Sequence, residues 1–297
     1  MHCPLCRVLG CSVFNVFMQS KDEIIMHRWD YITLYNISTS SSDSNQHVLI
    51  HTDTIFSSSP LTMSNESINS PADSHIDHAA AINYWSEVPA TINGILGGFP
   101  QISRIDLRGS KNFLAKVRRL IPNCTTTEKL KLGVDCGAGI GRVTEGFLSQ
   151  VCEVVDAVEP VEKFASTLKD SLRESDALGD VYVVGLENWS IEKKYNLIWA
   201  QWCLGHLTDA QLVEFLIKCR AALADLGIVV VKENLSTDLS GNDIYDDVDS
   251  SVTRTDEKFK ALFKAAGMNV IATELQAGFP KHLNLLPVRS YALRPMA

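Results

Sequence analysis

Three alternate glycines at the end of an apolar segment constrain the fold of this 297-residue chain more than any other feature. The segment Val134-Asp135-Cys136-Gly137-Ala138-Gly139-Ile140-Gly141-Arg142 passes from a buried-strand pattern directly into helical sequence. Glycine lets the backbone turn sharply and lets a ligand lie where any Cβ would collide. The spacing G-x-G-x-G differs from the G-x-G-x-x-G of dinucleotide-binding loops. The alternative to a ligand-binding loop is a tight strand-to-helix turn that binds no ligand.

Strand and helix patterns alternate around this loop. The sequence predicts strands at 130–136, 153–158, 181–184, 196–200, 228–232, 268–275 and 288–293, and helices at 141–149, 161–173, 209–224 and 256–266. Near-continuous apolar strands separated by helices predict an α/β fold, with a seven-stranded, mostly parallel, Rossmann-like sheet and helices on both faces. The last two strands follow each other without a helix, which predicts a terminal antiparallel hairpin.

The N-terminal part of the chain has a different composition. Six of the eight histidines and serine-rich runs such as 38–44 precede residue 80 and show little apolar periodicity. Such sequence buries too little apolar surface to offset the entropic cost of ordering. We therefore predict a poorly ordered extension at 1–78, with Met63 as an alternative start, and a folded domain at 79–297. Helices at 79–86, 89–98 and 103–121, the last with a cap at Ser110 and a stop at Pro122, predict an N-terminal helical lid at 79–122.

Charge and cysteine usage exclude several classes of function. The net charge of −8 argues against binding a nucleic-acid backbone, which requires clustered Lys and Arg. There is no run of 18 apolar residues for a membrane span. Cys3, Cys6 and Cys11 lie near His2, but no second pair of ligands follows at zinc-finger spacing, so we predict no metal site. The remaining cysteines lie singly in apolar segments, which indicates reduced thiols in the cytoplasm, with the nucleus as a second location.

Polar residues follow the predicted strands at the edge where parallel strands end, which is where ligands bind in such sheets. Glu159, at the tip of the second strand, can accept hydrogen bonds from both hydroxyls of a ribose. A strand, this glycine loop and an acidic residue at the second strand tip are similar to the adenosyl-binding half of S-adenosylmethionine-dependent methyltransferases. Arg142 would pair with the methionyl carboxylate; the alternative is a surface arginine on the first helical turn. The predicted cofactor-binding residues are Gly137, Gly139, Arg142, Glu159, Pro160, Val161, Leu186, Glu187, Gln201 and Trp85.

Six segments, the glycine loop among them, make the resemblance more specific. They are Asn83-Tyr84-Trp85, Leu96-Gly97-Gly98, the glycine loop, Gln201-Trp202-Cys203-Leu204-Gly205-His206-Leu207-Thr208-Asp209, Lys232-Glu233-Asn234, and Asp246-Asp247-Val248-Asp249-Ser250-Ser251-Val252-Thr253-Arg254. In this order, over about residues 80–294, they resemble the protein α-N-methyltransferases. The resemblance implies S-adenosylmethionine as cofactor. It implies methylation of the terminal amine of proteins that begin X-Pro-Lys once the initiator Met is removed, with processed ribosomal proteins as examples.

The chemistry of such a site requires a modest base. An α-amine (pKa about 8) loses its proton more easily than a lysine (about 10.4), so a group that titrates near working pH suffices. His206 and Asp249 follow strands in the predicted crevice, and the family resemblance points to the same pair. Asn234 would orient the amine through its side-chain carbonyl. The alternatives are that His206 caps the helix near Asp209, that Asn234 only ends its strand, and that the acidic residues form a solvated loop.

The peptide itself requires further contacts. Trp202 would stack on the proline ring, and Trp85 and Leu96 would close over cofactor and peptide; both tryptophans are core aromatics in the alternative interpretation. The resemblance assigns Asp246 and Ser251 to the lysine and groups Tyr84 with the substrate residues. The chain departs from the family near 285–289, where aromatic or histidine residues are usual. A small-molecule N- or O-methyltransferase and a non-catalytic adenosyl-binding scaffold are the rival functions.

Overall fold

The computed structural model describes residues 15–20, 23–28, 31–40, 47–53 and 70–296. Contacts divide the chain into two units, Met1–Ile68 and Asn69–Ala297. Four strands form an antiparallel sheet in chain order in the first unit: β1 (Asn15–Ser20), β2 (Glu23–Arg28), β3 (Tyr31–Ser40) and β4 (His47–Asp53). The cysteine cluster near His2 and the alternative start at Met63 lie outside the described residues.

Two features of the structure bear on the extension predicted at 1–78, which stays a prediction. Its strands contain runs of β-branched and aromatic residues, such as Tyr31-Ile32-Thr33, which favour extended structure although the neighbouring sequence is rich in serine. In addition, the boundary lies at Ile68/Asn69, because residues 70–78 belong to the second unit. There the side chain of Asp77 caps the first helix, and the carboxylate of Asp73 accepts a hydrogen bond from the backbone N–H of Asp209 (2.9 Å).

A seven-stranded sheet dominates the second unit. Its order is β12-β13-β9-β8-β5-β6-β7, where β5 to β9 are mutually parallel and β13 runs antiparallel between β9 and β12. The sheet and its terminal antiparallel pair confirm the predicted fold, and a separate two-stranded sheet, β10-β11, was not predicted. The strands are β5 (Leu130–Cys136), β6 (Cys152–Val158), β7 (Leu178–Tyr182), β8 (Tyr195–Gln201), β9 (Leu223–Asn234), β10 (Ile244–Asp246), β11 (Ser251–Thr253), β12 (Met268–Leu275) and β13 (Val288–Pro295).

Helices lie between the strands at nearly the predicted places. They are α1 (His78–Glu87), α2 (Ile92–Ile95), α3 (Ser103–Leu120), α4 (Ser149–Val151), α5 (Glu162–Leu172), α6 (Asp209–Ala222) and α7 (Asp256–Ala265). A π-helical turn (Thr144–Leu148) occupies most of the helix predicted after the glycine loop. The cap predicted at Ser110 is wrong: this serine lies buried in the middle of α3, where its hydroxyl is 2.9 Å from Lys232 Nζ. None of the helices in the described ranges is long and apolar enough to cross a membrane.

Two apolar layers hold the helices on opposite faces of the sheet. Phe113 of α3 packs in one layer with Trp199, whereas Phe215 of α6 and Phe263 of α7 pack in the other with Ile198. Neighbouring residues of a strand point to opposite faces, so Ile198 and Trp199 belong to different layers. A central strand therefore needs apolar residues on both of its faces, which explains its near-continuous apolar run. This packing leaves the loops at the carboxyl ends of β5, β6, β8 and β9 free to form a site.

Candidate active site

A first pocket of about 160 Å³ lies at the carboxyl ends of the parallel strands, against the glycine loop. Its lining includes every residue that the sequence predicted to bind the cofactor: Gly137, Gly139, Arg142, Glu159, Pro160, Val161, Leu186, Glu187, Gln201 and Trp85. The structure thus brings together residues from four strand ends, those of β5, β6, β7 and β8, and from the N-terminal helix α1.

The glycine loop has a conformation that other residues rarely adopt. Gly137 and Gly139 have φ angles of 68° and 57°, in the left-handed region. A Cβ on Gly137 would lie 2.4 Å from the Cβ of Cys203, whereas a Cβ on Gly139 would meet nothing within 4 Å. The space beside Gly139 is part of the first pocket. The loop therefore presents bare backbone to a ligand, as an adenosyl cofactor requires.

Glu159 is positioned by that loop. Its Oε2 accepts a hydrogen bond from the N–H of Gly139 (2.7 Å), and its Oε1 accepts one from the N–H of Val161 (2.8 Å). Burial raises its pKa to about 7. Each carboxylate oxygen keeps a second lone pair, so the side chain can still accept both hydroxyls of a ribose. This geometry fits the adenosyl group.

Arg142 is buried and belongs to a charged cluster. It donates a hydrogen bond to Oδ2 of Asp106 (2.8 Å), which contradicts the alternative of a surface arginine. Asp106 also accepts from Nζ of Lys232 (2.5 Å) and from the side-chain amide of Gln201 (2.9 Å). Although burial raises the pKa of Asp106, the charges of Lys232 and Arg142 hold it below its usual value. Arg142 uses one N–H group on Asp106 and has further N–H groups with which it can bind a cofactor carboxylate.

The sequence analysis missed Asp106 and Lys232 as members of this site. Lys232 follows three valines inside a buried strand, and a lysine at such a position is rare unless it is paired. That signal was available in the sequence, but its partner on α3 could not be found without the tertiary structure.

A second pocket, of about 490 Å³, adjoins the first. It contains Asn234, Asp249 and Ser251 of the predicted site, together with apolar side chains that include Leu285 and Leu286. Five residues line both pockets and form a shared wall: Trp85, Ile95, Leu96, Trp202 and His206. A group bound in one pocket therefore faces a group bound in the other across this wall.

Two predicted substrate residues line neither pocket. Tyr84 and Asp246 are exposed side chains. Burial, together with the charges of Asp249 and Asp246, raises the pKa of Tyr84, which shows that these three groups are electrostatic neighbours. Tyr84 and Asp246 thus belong to the surroundings of the second pocket rather than to its lining.

His206 has a defined hydrogen-bonding pattern. Its Nε2 accepts from the indole N–H of Trp85 (3.2 Å), and its Nδ1 lies 3.4 Å from the carbonyl oxygen of Ser250. Burial lowers the pKa of His206, an effect that the charge of Asp249 opposes. Thr208 caps helix α6: its hydroxyl accepts from the backbone N–H of Gln211, and its own N–H donates to the side-chain oxygen of Gln211. His206 is therefore not the cap.

Asp249 and Trp202 hold polar atoms that have no partner. Oδ1 of Asp249 and the indole N–H of Trp202 are buried without a hydrogen bond. Burial raises the pKa of Asp249, and a hydrogen bond from Ser251 acts in the opposite direction. Trp202 also has a φ angle of 56°, which is a strained conformation for a bulky residue. Unpaired buried polar atoms and backbone strain are both concentrated at ligand sites.

Fold and pocket together define the class of protein. A parallel sheet with an antiparallel last pair, a three-glycine loop and a buried acid at the second strand tip form the adenosyl site of an S-adenosylmethionine-dependent methyltransferase. Comparison with known proteins narrows the class. Residues 73–294 match the family of AdoMet dependent proline di-methyltransferases, and the chain belongs to that family.

Individual relatives support the same assignment. The chain is 45% identical over 221 residues to "Alpha N-terminal protein methyltransferase 1" of Schizosaccharomyces pombe, covering 73% of this chain and 96% of that protein. It is 41% identical over 219 residues to "N-terminal Xaa-Pro-Lys N-methyltransferase 1-A" of Xenopus laevis, covering 73% and 95%. A solved SAM-dependent methyltransferase from Leishmania major superposes with a TM-score of 0.66 at 34% identity, over 73% of this chain and 82% of that one.

Proposed function

We propose that this enzyme methylates the α-amine of proteins that begin X-Pro-Lys after removal of the initiator Met. The observation that carries the proposal is the pair His206 and Asp249 beside the second pocket, where Asp249 has a buried carboxylate oxygen without a partner. The terminal amine of a peptide supplies N–H donors that such an oxygen can accept. The names of relatives at 41–45% identity agree with this substrate.

The bound cofactor supplies an electrophilic methyl group on its sulfonium. The chain's own residues have to hold the amine against the shared wall and remove one proton from it. Asp249 attracts the amine, and Asn234 orients it through its side-chain carbonyl. His206, which burial keeps neutral, accepts the proton at Nε2 when that nitrogen exchanges its bond with Trp85 for one with the amine.

The rest of the peptide has matching surroundings. Trp202 offers a flat apolar face in the shared wall for the proline ring. Asp246 and Ser251 provide a carboxylate and a hydroxyl for the lysine. Tyr84 lies close enough to Asp246 and Asp249 for their charges to act on it. We extend the proposal to ribosomal proteins as substrates and to the cytoplasm or nucleus as the location.

Mass spectrometry of peptides tests this function. A peptide beginning Ser-Pro-Lys should gain methyl groups at its α-amine, and matched peptides with Ala in place of Pro or Gln in place of Lys should gain far fewer. Asp249→Asn and Asn234→Lys should abolish turnover while the variants still bind S-adenosylhomocysteine. Transfer to free metabolites but not to the peptide would instead establish a small-molecule methyltransferase, and cofactor binding without transfer to either would establish a scaffold.

A further inference from the structure

Ser250 has an unusual conformation between two residues of the proposed site. It follows Asp249 and precedes Ser251, its side chain is buried, and its φ angle is 54°. A residue with a Cβ seldom occupies this left-handed region, and one that does is held there by its surroundings.

Two hydrogen-bonding groups hold the side chain. Oγ of Ser250 accepts a hydrogen bond from the backbone N–H of Asp77 (2.7 Å) and lies 3.3 Å from the hydroxyl of Tyr245. Asp77 is the N-cap residue of α1, the helix that bears Trp85. The serine side chain thus fastens the loop of Asp249 to the start of the N-terminal helix.

The backbone of Ser250 acts on His206. A carbonyl oxygen can only accept, so the contact of 3.4 Å with Nδ1 requires that Nδ1 has the proton. The lone pair of the neutral ring is then on Nε2, which faces Trp85 in the shared wall. Fixing one ring nitrogen through a hydrogen bond determines which nitrogen can act as a base.

We infer that Ser250 is a positioning residue. Its side chain anchors the loop to α1, and its carbonyl keeps the basic nitrogen of His206 in the wall between the two pockets. This inference rests on the proposed function, because it matters only if His206 accepts the proton of the amine. It also gives Asp77, which the sequence analysis assigned to a poorly ordered extension, a part in the active site.

Several groups face His206 from other elements. The carboxylate of Asp249 and the carbonyl of Ser250 raise its pKa, whereas burial and the ring of His78 on α1 lower it. The guanidinium of Arg254 donates to the carbonyl oxygens of Leu204 and Leu207 on either side of the turn. Loss of the Ser250 contact therefore removes one group that favours the charged ring, and the pKa of His206 should fall.

Nitrogen NMR of the full-length enzyme, labelled in its histidines, tests the inference directly. The spectrum of His206→Gln assigns the His206 signals. Ser250→Ala keeps the backbone carbonyl but removes the hydroxyl that fastens it to Asp77, so the carbonyl should move away from Nδ1. His206 should then change from the Nδ1-protonated form to a mixture of tautomers, and its titration should move to lower pH. Its kcat on a Ser-Pro-Lys peptide should fall about tenfold, as for other losses of a group that orients a functional histidine. KM for S-adenosylmethionine should stay unchanged. Ser290→Ala, which truncates a buried serine outside both pockets, is the matched control and should leave all four readouts unchanged.

Tyr245→Phe removes only one of the two groups that contact Oγ, so it should shift His206 in the same direction by less, and it keeps the test valid if Ser250→Ala does not fold. An unchanged His206 tautomer and titration in the variants would overturn the positioning role. A changed tautomer with unchanged kcat on the peptide would also overturn it, because the tautomer of His206 would then not matter for proton transfer. Absence of methyl transfer to the peptide by the unmodified enzyme would instead be a failure of the proposed function.

Discussion

Asp106→Asn offers a sharp test of the buried charge cluster. The carboxylate of Asp106 accepts hydrogen bonds from Arg142, Gln201 and Lys232, and neither Asp106 nor Lys232 has measurable exposure. An asparagine keeps one acceptor oxygen and turns an N–H₂ group toward donors. Both cations then lose their counter-charge in a buried environment. The variant should therefore be much less stable than the unmodified enzyme.

The magnitude follows from how buried ion pairs behave. Removing one partner of a buried pair costs about 3–5 kcal/mol, because the other charge stays desolvated. For a domain of this size, 1 kcal/mol corresponds to about 2–4 °C in Tm, so the transition should fall by roughly 6–20 °C. The direction in which the stabilisation by Asp106 changes with pH is also defined. The folded state lowers the pKa of Asp106, so its contribution is present above the unfolded value near 3.9 and is lost as the pH falls through the folded value.

Urea denaturation of the full chain at pH 7, followed by tryptophan fluorescence, measures this loss. Four of the five tryptophans lie beyond residue 70. Glu274→Gln is the matched control, because its ion pair with Lys116 is exposed and should contribute less than about 1 kcal/mol. Adding Lys232→Met to Asp106→Asn removes one unpaired cation and should restore part of the stability. If Asp106→Asn loses less than about 1 kcal/mol, the cluster is not the buried, paired network described above.

Three further predictions concern the pockets. Glu159→Gln should weaken binding of S-adenosylhomocysteine by about 10- to 100-fold in calorimetry. In the unmodified enzyme the same affinity should fall as the pH drops below about 7, because Glu159 becomes protonated. Gly137→Ala should destabilise the fold by about 3 kcal/mol or more, because its Cβ collides with Cys203. Gly139→Ala should destabilise it by only about 1 kcal/mol, but its Cβ should fill part of the first pocket and so lower the affinity for the cofactor. Thermal denaturation measures the loss of stability, and calorimetry measures the loss of cofactor affinity. Trp202→Gly should be more stable than Trp202→Ala by about 1 kcal/mol, because glycine relieves the positive φ, while both variants lose peptide affinity in fluorescence titrations.

The sequence was sufficient for the sheet because its signals are local. Each central strand is a short apolar run next to a helix with its own start and stop, so the alternation alone defined five parallel strands. The glycine loop and Glu159 could be placed because both adjoin strand ends that meet at one edge. By contrast, β10 and β11 have only three residues each, and the strands before residue 54 adjoin serine-rich sequence, so neither produced a clear pattern.

The residues that the sequence did not reveal act through partners far away in the chain. Asp106 and Lys232 are 126 positions apart, and Asp77 contacts Ser250 across 173 positions. No periodicity relates such pairs, and an aspartate in a helix or a serine in a loop is unremarkable by itself. A sequence can reveal only the member of such a pair whose residue type is unusual for its surroundings, such as a lysine in an apolar strand. Its partner is decided by the tertiary fold.

Trp85 shows that the N-terminal helix α1 is part of the active site and does not merely cover it. It lines both pockets, and its indole N–H donates to the nitrogen of His206 that would act as the base. The start of its helix is fastened to Ser250, whose carbonyl contacts the other nitrogen of the same ring. The imidazole is thus held at both ends by structure that depends on α1. Because Trp85 both lines the two pockets and donates to the base, substitution of Trp85 itself should impair cofactor binding and proton transfer in the same variant.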